Sequence, residues 1–363
     1  MNYDYDHKLM AACLRYARRH RGLTASNPSV GTLLVHFGTD GPRIVGRGVT
    51  AIGGRPHAER IAIDCAGELA IGSTAYVTLE PCAHHASTPP CAQALIHAGV
   101  SRVVTACSDP DERVNGRGHK MLQDAGIVTQ TGLFRKNASE DLSGYFSRQL
   151  KRRPHVVLKL AVSSDGWLGI KGKEILITGR LARYYGHRMR AETDSILVGR
   201  GTVEADDPLL TCRLPGLRNR SPRRFVLDQK GRLPVGSQLV RTACTVPVTL
   251  ITSWKYVLSN RLYYSGVRTI SAEIIEDGLA LFEVLEDIAA QGVSSLMVEG
   301  GAQVAESFLK ADLVDEIALF TSKKSLKEGD IPSPLTQKKI SKKFQLRRSL
   351  NLGDDRLTQF FRA

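Results

Sequence analysis

The chain has 363 residues, of which 42% are hydrophobic and 24% charged; this exceeds the length of one typical core and predicts two domains. No apolar run approaches the roughly 20 residues that span a bilayer, and the start lacks a secretory-signal pattern, so we expect no membrane partner. The net charge of +14 favours anionic ligands, either phosphorylated metabolites or nucleic acid, although a plain solvated surface explains it equally well.

The first part of the chain alternates apolar strand patterns with helical ones, which predicts a layered α/β domain. In chain order we predict strands at Val30–Phe37 and Arg43–Val49, a helix at His57–Ala66, a strand at Thr74–Leu79, a helix at Pro90–Ala98, a strand at Arg102–Cys107, a helix at Gly118–Ala125 and a strand at Ile127–Thr131. The polar segment Phe134–Arg153 breaks this pattern. We therefore assign residues 1–150 and 151–363 to two domains.

The second part resumes the alternation and predicts another α/β domain, with a β-rich end after Leu313. The predicted strands are Val156–Val162, Ser195–Gly199, Arg224–Asp228, Val248–Thr252 and Ser295–Val298, and the predicted helices are Leu181–Glu192 and Gly278–Ala290. The basic stretch from Lys323 to Lys343 contains no aromatic residue on which a nucleic-acid base could stack. We interpret it as a polar loop and expect no nucleic-acid partner.

Seven cysteines, an odd number, argue against a disulfide framework and predict a reducing, cytoplasmic location. Five of them lie in or beside apolar segments, and we expect these five in the core: Cys13, Cys65, Cys107, Cys212 and Cys244.

The remaining two cysteines combine with a histidine in a spacing typical of catalytic zinc. His57 opens a predicted helix, Cys82 follows a predicted strand, and Cys91 opens another helix, where the helix dipole favours a thiolate. One imidazole and two thiolates leave a fourth zinc position for water. Glu59, two residues after His57, is the candidate proton shuttle between that water and a departing amine. The alternative is two buried structural cysteines.

Glycine-containing turns follow two strands of the second domain and are candidates for anion binding. They are Gly199–Thr202 and Glu299–Gly301, and the second opens a helix. Ordinary tight turns also use glycine, and the usual dinucleotide fingerprint Gly-x-Gly-x-x-Gly is absent. Arg190 and Arg213 have the chemistry to bind a phosphate bidentately, or they are surface arginines.

Several motifs together resemble the bifunctional riboflavin-biosynthesis deaminase/reductases, whose first half is similar to cytidine and deoxycytidylate deaminases. The matching segments are Asn27–Gly31, Thr78–Cys91, Asp109–Pro110, Val114–Gly118, Leu158–Gly166, Ile177–Gly179, Ile196–Pro208, Glu299–Gly301 and Leu313–Glu316. The resemblance implies a cytidine-deaminase-like three-layer α/β domain followed by a dihydrofolate-reductase-like α/β domain. It also implies hydrolytic deamination of 2,5-diamino-6-(5-phosphoribosylamino)pyrimidin-4(3H)-one to 5-amino-6-(5-phosphoribosylamino)uracil, and then reduction of the ribosyl group to ribityl with NADPH.

The resemblance also implies roles for single residues. His57, Cys82 and Cys91 would bind one zinc ion, with Glu59 catalytic. Substrate contacts would come from Asn27, His84, Arg190, Leu210, Arg213 and Glu299, and cofactor contacts from Ala161, Thr202, Asp206, Gly301, Ala302 and Gln303. The chain departs from the family at Thr50 (often His), Ser87 (often Lys or Arg), Glu174 (usually Ser), Leu176 (usually Trp) and in the stretch Ser322–Ser325, where a glycine-rich segment is usual.

Two other functions remain open at this point. A nucleic-acid deaminase of the transfer-RNA type with an accessory domain fits the zinc motif and the charge, but it usually has two residues between its cysteines rather than eight. A non-catalytic zinc module would need no Glu59. We favour the bifunctional enzyme, acting on phosphorylated pyrimidines, and expect a homo-oligomer, either a dimer or a tetramer.

Overall fold

A computed structural model describes residues 3–84, 89–173, 175–256, 259–275, 278–335 and 337–363. The chain divides into two compact units, Met1–Arg152 and Arg153–Ala363, each with its own sheet. The division lies two residues after the boundary placed on the sequence. Within the described ranges, no helix is both long and apolar enough to cross a membrane.

The first unit is an α/β fold around a five-stranded sheet, in the order β2-β1-β3-β4-β5. β1 pairs antiparallel with β2 and β3, whereas β3, β4 and β5 run parallel. Its helices and strands are α1 Tyr3–Ala17, a 3₁₀ helix Arg18–His20, β1 Gly31–Gly38, β2 Gly41–Val49, α2 Ala58–Ala66, a 3₁₀ helix Gly67–Ala70, β3 Thr74–Val77, α3 Cys91–His97, β4 Arg102–Thr105, α4 Arg117–Asp124, β5 Val128–Thr131, α5 Arg135–Asp141 and α6 Ser143–Lys151.

Two glycines of β2 let helix α2 pack directly on the strand backbone. A Cβ atom at Gly48 would lie 1.9 Å from the carbonyl oxygen of Ala58, and one at Gly46 would lie 2.3 Å from that of Ala62. Because strand side chains alternate with a period of two, both positions face the same helix. The first turn of α2, which carries Glu59, is therefore packed against β2, the edge strand of the sheet.

The structure corrects two predictions for this unit. The segment Phe134–Arg153, taken as a polar break, forms α5 and α6, and its few apolar residues Ala138, Leu142 and Tyr145 pack into the core. Cys65, expected in the core, is exposed, while Cys13 and Cys107 are buried as predicted.

The second unit is built on a nine-stranded sheet in the order β11-β10-β9-β8-β14-β6-β15-β18-β17. Its elements are β6 His155–Val162, β7 Trp167–Gly169, α7 Arg180–Ala191, β8 Ser195–Gly199, α8 Arg200–Asp206, a 3₁₀ helix Arg218–Arg220, β9 Arg223–Leu227, α9 Gln238–Arg241, β10 Val248–Ser253, α10 Asn260–Tyr264, β11 Arg268–Ala272, β12 Ile274–Ile275, β13 Gly278–Leu279, α11 Leu281–Ala290, β14 Ser295–Val298, α12 Ala302–Lys310, β15 Glu316–Thr321, β16 Ile331–Pro332, α13 Gln337–Lys343, β17 Phe344–Leu352 and β18 Asp355–Arg362.

The strands from β11 to β15 in this order run parallel, and β18 pairs antiparallel with both of its neighbours, β15 and β17. Every residue of β8 is buried, as expected for a parallel strand covered on both faces. β8, β14 and β6 are neighbours in the sheet, so their carboxyl ends meet at one edge. In open α/β sheets this edge is where ligands bind.

Three predictions for this unit are wrong. The helix expected from Gly278 begins at Leu281, after the short strand β13. Part of the basic stretch taken as a loop forms helix α13. Cys244 is exposed rather than in the core, whereas Cys212 is buried.

Candidate active sites

The predicted zinc ligands converge in the first unit. His57 precedes the first residue of α2, Cys82 follows the strand β3, and Cys91 is the first residue of α3. Their ligand atoms all lie within 4.8 Å of one another. Pro90, which we expected inside the first helical turn, is instead the N-cap of α3.

The separations of these atoms fit a tetrahedral metal ion. The Nδ1 atom of His57 lies 3.8 Å from Sγ of Cys82 and 3.4 Å from Sγ of Cys91. With bonds of about 2.1 Å to nitrogen and about 2.3 Å to sulfur, tetrahedral zinc would separate these atoms by about 3.6 Å. Among the described residues, only this His-Cys-Cys group has metal-ligand geometry.

The protein surroundings favour a thiolate at Cys82. The hydrogen bond from the Cys91 thiol lowers the pKa of Cys82 to about 4. The backbone N–H of Cys91, at the amino end of α3, also donates to the Cys82 sulfur at 3.3 Å. This helix start therefore supplies one ligand and stabilises the charge of another.

Glu59 lies in the first turn of α2 and is 4% exposed. Burial raises the pKa of Glu59 to about 7, and the negative charge of Cys82 acts in the same direction. Its carboxylate interacts with the Cys91 thiol, so it lies beside the three ligands. A carboxylate in this place can exchange protons with a molecule held at the fourth metal position.

The predicted substrate residues of this unit lie on loops near the ligands. The side chain of Asn27 packs on Gly54, three residues before His57, where an added Cβ would lie 2.5 Å from the Asn27 Nδ2 atom. The Nδ1 atom of His84 is buried and has no hydrogen-bond partner in the described part of the chain. A buried polar atom without a partner is suited to bind a ligand group.

Of the two departures near the deaminase substrate, one can be described. Thr50 is buried, and its hydroxyl accepts a hydrogen bond from the Val30 N–H at 2.9 Å. Its side chain is therefore used within the fold. Ser87 lies outside the described residues.

In the second unit, three charged side chains form one partly buried cluster, in which Arg190 and Glu299 were predicted site residues and Lys159 was not. Glu299 follows β14, and its carboxylate accepts hydrogen bonds from Nε and Nη2 of Arg190 at 2.8 and 2.9 Å. The Lys159 ammonium, on β6, lies 3.3 Å from the same carboxylate. Burial would raise the pKa of Glu299, but Arg190 and Lys159 outweigh it and hold that pKa well below its usual range.

Lys159 was not among the predicted site residues, although the sequence pattern of its strand could have indicated it. It is the one charged residue within the apolar strand β6, and β6 is central in the sheet. A charge in such a strand is rarely retained without a partner.

The two arginines that are candidates for phosphate binding have different surroundings. Two donors of Arg190 are engaged with Glu299, and a third donates to the carbonyl of Thr211 at 3.2 Å. Arg213 is exposed. The partial loss of water around its guanidinium and the nearby positive charge of Arg190 lower the pKa of Arg213. Arg213 is thus the better of the two for an incoming anion.

Leu210 lies close to these groups in sequence but has a buried side chain. It is 3% exposed and packs in a core cluster, and its φ of 54° is in the left-handed region. Non-glycine residues adopt this conformation at a cost, and such strain is often found near functional sites. Any contact that Leu210 makes with a ligand would come from its backbone.

The predicted cofactor residues gather mostly at the carboxyl ends of the neighbouring strands. Gly301 caps α12, and its N–H donates to Oγ1 of Thr202, in the first turn of α8, at 3.1 Å. Ala302 and Gln303 are the first residues of α12, and Ala161 lies near the carboxyl end of β6. Asp206 is at the far end of α8, away from its amino terminus.

The amino end of α12 has no side-chain cap, and the structure leaves little room there for larger residues. A Cβ at Gly300 would lie 2.9 Å from Cβ of Val304, and one at Gly199 would lie 2.7 Å from its Cγ2. Uncapped N–H groups at a helix start bind anions.

Of the two departures from the family in this unit, Leu176 is exposed, and Glu174 lies outside the described residues.

Comparisons with known proteins match each of the two units to a protein family. Residues 154–358 match the family described as RibD C-terminal domain, and residues 4–107 match the cytidine and deoxycytidylate deaminase zinc-binding region. The riboflavin biosynthesis protein RibD of Aquifex aeolicus is 35% identical, over 99% of both chains.

Solved structures extend this similarity to the whole fold. Acinetobacter baumannii RibD is 32% identical, covers 99% of both chains and has a TM-score of 0.85. A Thermotoga maritima protein described as a diaminohydroxyphosphoribosylaminopyrimidine deaminase/5-amino-6-(5-phosphoribosylamino)uracil reductase is 29% identical over the full length of both, with a TM-score of 0.88. These similarities confirm the predicted pair of folds, a cytidine-deaminase-like unit followed by a dihydrofolate-reductase-like unit.

Proposed function

The chain belongs to the RibD family of riboflavin biosynthesis proteins, and on this premise we propose that its first unit deaminates a phosphorylated diaminopyrimidine and its second reduces the product. It is a bifunctional enzyme with deaminase and reductase activities. The observation that carries the proposal is the His57–Cys82–Cys91 group with Glu59 beside it, in the same chain as the Arg190–Glu299–Lys159 cluster.

For the deaminase, we propose that His57, Cys82 and Cys91 hold zinc through Nδ1 and the two Sγ atoms. When bound, zinc supplies hydroxide near neutral pH by lowering the pKa of a water molecule. A carboxylate oxygen of Glu59 would take one proton from the attacking water and pass it to the ring nitrogen, and would then transfer the second proton, from the new hydroxyl group, to the amine. The carbon gains the oxygen and loses ammonia. Asn27 and His84 contact the substrate.

We expect the purified enzyme to release ammonia from 2,5-diamino-6-(5-phosphoribosylamino)pyrimidin-4(3H)-one and not from transfer RNA. The reason is that the chain carries a reductase unit, which a nucleic-acid deaminase does not need. An ammonia assay with both substrates at equal concentration makes the comparison. Faster release from transfer RNA would contradict the proposal.

We expect one zinc ion per chain, and expect it to be lost from the Cys82→Ser/Cys91→Ser double variant. Serine hydroxyls are poor zinc ligands because they are not ionised near neutral pH, whereas thiolates are strong ones. Elemental analysis of both proteins provides the measurement, and a Cys65→Ser variant, at an exposed cysteine of the same unit, is the matched control. Zinc kept in full by the double variant would exclude these ligands.

For the reductase, we propose that NADPH binds at the carboxyl ends of β6, β8 and β14. The uncapped N–H groups at the start of α12 and the Thr202 hydroxyl suit its phosphates. Ala161, Asp206, Gly301, Ala302 and Gln303 complete the proposed contacts. NADPH, when bound, would supply hydride to the ribosyl carbon as the bond from that carbon to the ring oxygen breaks and the oxygen takes a proton. Arg190, Leu210, Arg213 and Glu299 would hold the substrate there.

We expect a higher kcat/KM with NADPH than with NADH, because the 2′-phosphate of NADPH favours a cationic neighbour and the chain carries a net charge of +14. Oxidation of each cofactor, followed in the presence of the deaminated intermediate, gives the two values. Equal values would argue against the preference.

We also propose that the enzyme is cytoplasmic and assembles as a homo-oligomer. All seven cysteines are free thiols, which suits a reducing compartment. Sedimentation or light scattering would determine whether it is a dimer or a tetramer.

A further inference from the structure

We propose that Glu80 is a positioning residue for the metal site, because its buried carboxylate fixes the segment that carries Cys82. This inference rests on the proposed zinc function and adds to it a residue outside the ligand set. Glu80 is 3% exposed and lies two residues before Cys82. The strand β3 ends at Val77, so the Cys82 ligand is on irregular chain beyond the ladder of the sheet.

The Glu80 carboxylate binds four backbone N–H groups from a distant stretch of chain. Oε2 accepts from Asp109 at 3.3 Å and from Gly116 at 3.1 Å. Oε1 accepts from Gly118 at 3.1 Å and from His119 at 3.3 Å. A carboxylate has about four lone-pair sites, so these bonds use its whole accepting capacity. One side chain thus joins the Cys82 segment to the loop before α4 and to the first turn of α4.

Gly118 holds the same segment by a second contact, independent of the carboxylate. A Cβ atom at Gly118 would lie 2.1 Å from the carbonyl oxygen of Pro81, the residue between Glu80 and Cys82. The backbone of α4 therefore packs on the backbone of Pro81, and only glycine permits this approach. The imidazole of His119 also contacts the Glu80 carboxylate. Its Nδ1 atom lies 3.5 Å from Oε1 of Glu80, and its Nε2 atom lies 2.9 Å from Oγ1 of Thr105.

On its other side, Cys82 is held by the start of α3. The Cys91 N–H donates to its sulfur, and the Ala92 N–H donates to its carbonyl oxygen at 3.2 Å. Cys82 is thus clamped between α3 and the contacts made by Glu80 and Gly118. Groups that orient a metal ligand typically change metal affinity by roughly 10- to 100-fold when they are removed.

The experiment compares zinc affinity in Glu80→Gln, Gly118→Ala and the wild-type protein by competition with a chromogenic chelator. Gln keeps the size of Glu, but its NH₂ group would face two N–H donors. In Gly118→Ala, the added methyl group would force the Pro81 carbonyl to move. We expect each variant to bind zinc roughly 10- to 100-fold more weakly. We also expect the visible spectrum of cobalt-substituted protein to shift, because the Cys82 sulfur moves.

The matched control is Asp6→Asn, a buried carboxylate of the same unit that bonds Arg102 and Tyr76. Arg102 is at the amino end of β4, away from the end that faces the Cys82 segment. We expect Asp6→Asn to lower the melting temperature and to leave zinc affinity and the cobalt spectrum unchanged.

If Glu80→Gln behaves like Asp6→Asn, less stable but unchanged in both metal readouts, the positioning role is wrong. Should Glu80→Gln not fold, Gly118→Ala decides in the same way, since its added Cβ would displace the Pro81 carbonyl and lie 3.3 Å from Cγ of Glu80 without removing the carboxylate. A wild-type protein that binds no zinc would overturn both the proposed function and this inference. Normal zinc in the wild type with normal affinity in both variants would overturn this inference alone.

Discussion

The Glu59→Gln variant is expected to lose roughly 10²- to 10⁴-fold in the rate of ammonia release and to reduce the deaminated intermediate at the wild-type rate. Gln keeps the size of Glu but cannot accept the proton of the attacking water. Zinc is expected to stay bound, because Glu59 is not among the three ligand residues. The reductase residues lie in the other unit, Arg153–Ala363.

Two assays on one preparation, ammonia release and NADPH oxidation, measure both effects, and elemental analysis reports the zinc. Asp64→Asn is the matched control, since Asp64 is an exposed carboxylate on the same helix α2. Normal deamination by Glu59→Gln would remove the proton-shuttle assignment. Loss of reduction in a folded Glu59→Gln protein would contradict the assignment of the two activities to separate units.

The Glu299→Ala variant is expected to lose roughly 30-fold or more in kcat/KM for reduction, with ammonia release unchanged. Removal of the carboxylate leaves Arg190 and Lys159 as two nearby positive charges without their shared anion. Truncation of one partner of a buried, hydrogen-bonded charge pair typically costs about 2–5 kcal/mol. We therefore expect the Arg190 guanidinium to turn towards other acceptors, so that this proposed substrate residue is no longer held in place.

Glu192→Ala provides the comparison for this variant. Glu192 pairs with Arg188 at the end of helix α7, which also carries Arg190, but the side chains of Arg188 and Glu192 are 58% and 35% exposed. Exposed pairs of this kind contribute little, typically under about 1 kcal/mol, so reduction should be near normal. Equal reduction rates in Glu299→Ala and Glu192→Ala would show that the Arg190–Glu299–Lys159 cluster has no part in the reaction.

The metal site could be predicted from the sequence because its chemistry is marked locally. His57 and Glu59 are two residues apart, and both cysteines stand next to prolines at element boundaries. Most strands in the first unit were also predictable from short apolar runs. The helices α5 and α6 were not, because each is short and mostly polar, and Ala138, Leu142 and Tyr145 are the residues of this segment that are buried in the core.

The reductase cluster could not be derived from local patterns. Glu299 is 109 residues from Arg190 and 140 from Lys159. Only the pairing of β14 with β6 and the packing of helix α7 bring the three side chains together. Arg190 and Glu299 entered the prediction through resemblance, and Lys159 was missed. The exposure of Cys65 and Cys244 had the same cause: a thiol beside apolar residues is assigned to a face only by the tertiary packing.

The close packing of α2 on the glycines of β2 has a consequence for the order of folding. β1, β2 and α2 are consecutive in the chain, so their contacts close only short loops, and such contacts form early. Cys82 and Cys91 depend on β3 and on the later pairing of β3 with β4. The histidine side of the metal site is therefore expected to form before the cysteine side. We therefore expect zinc to bind late in folding, when both sides of the site are formed, so that its binding free energy stabilises the completed unit.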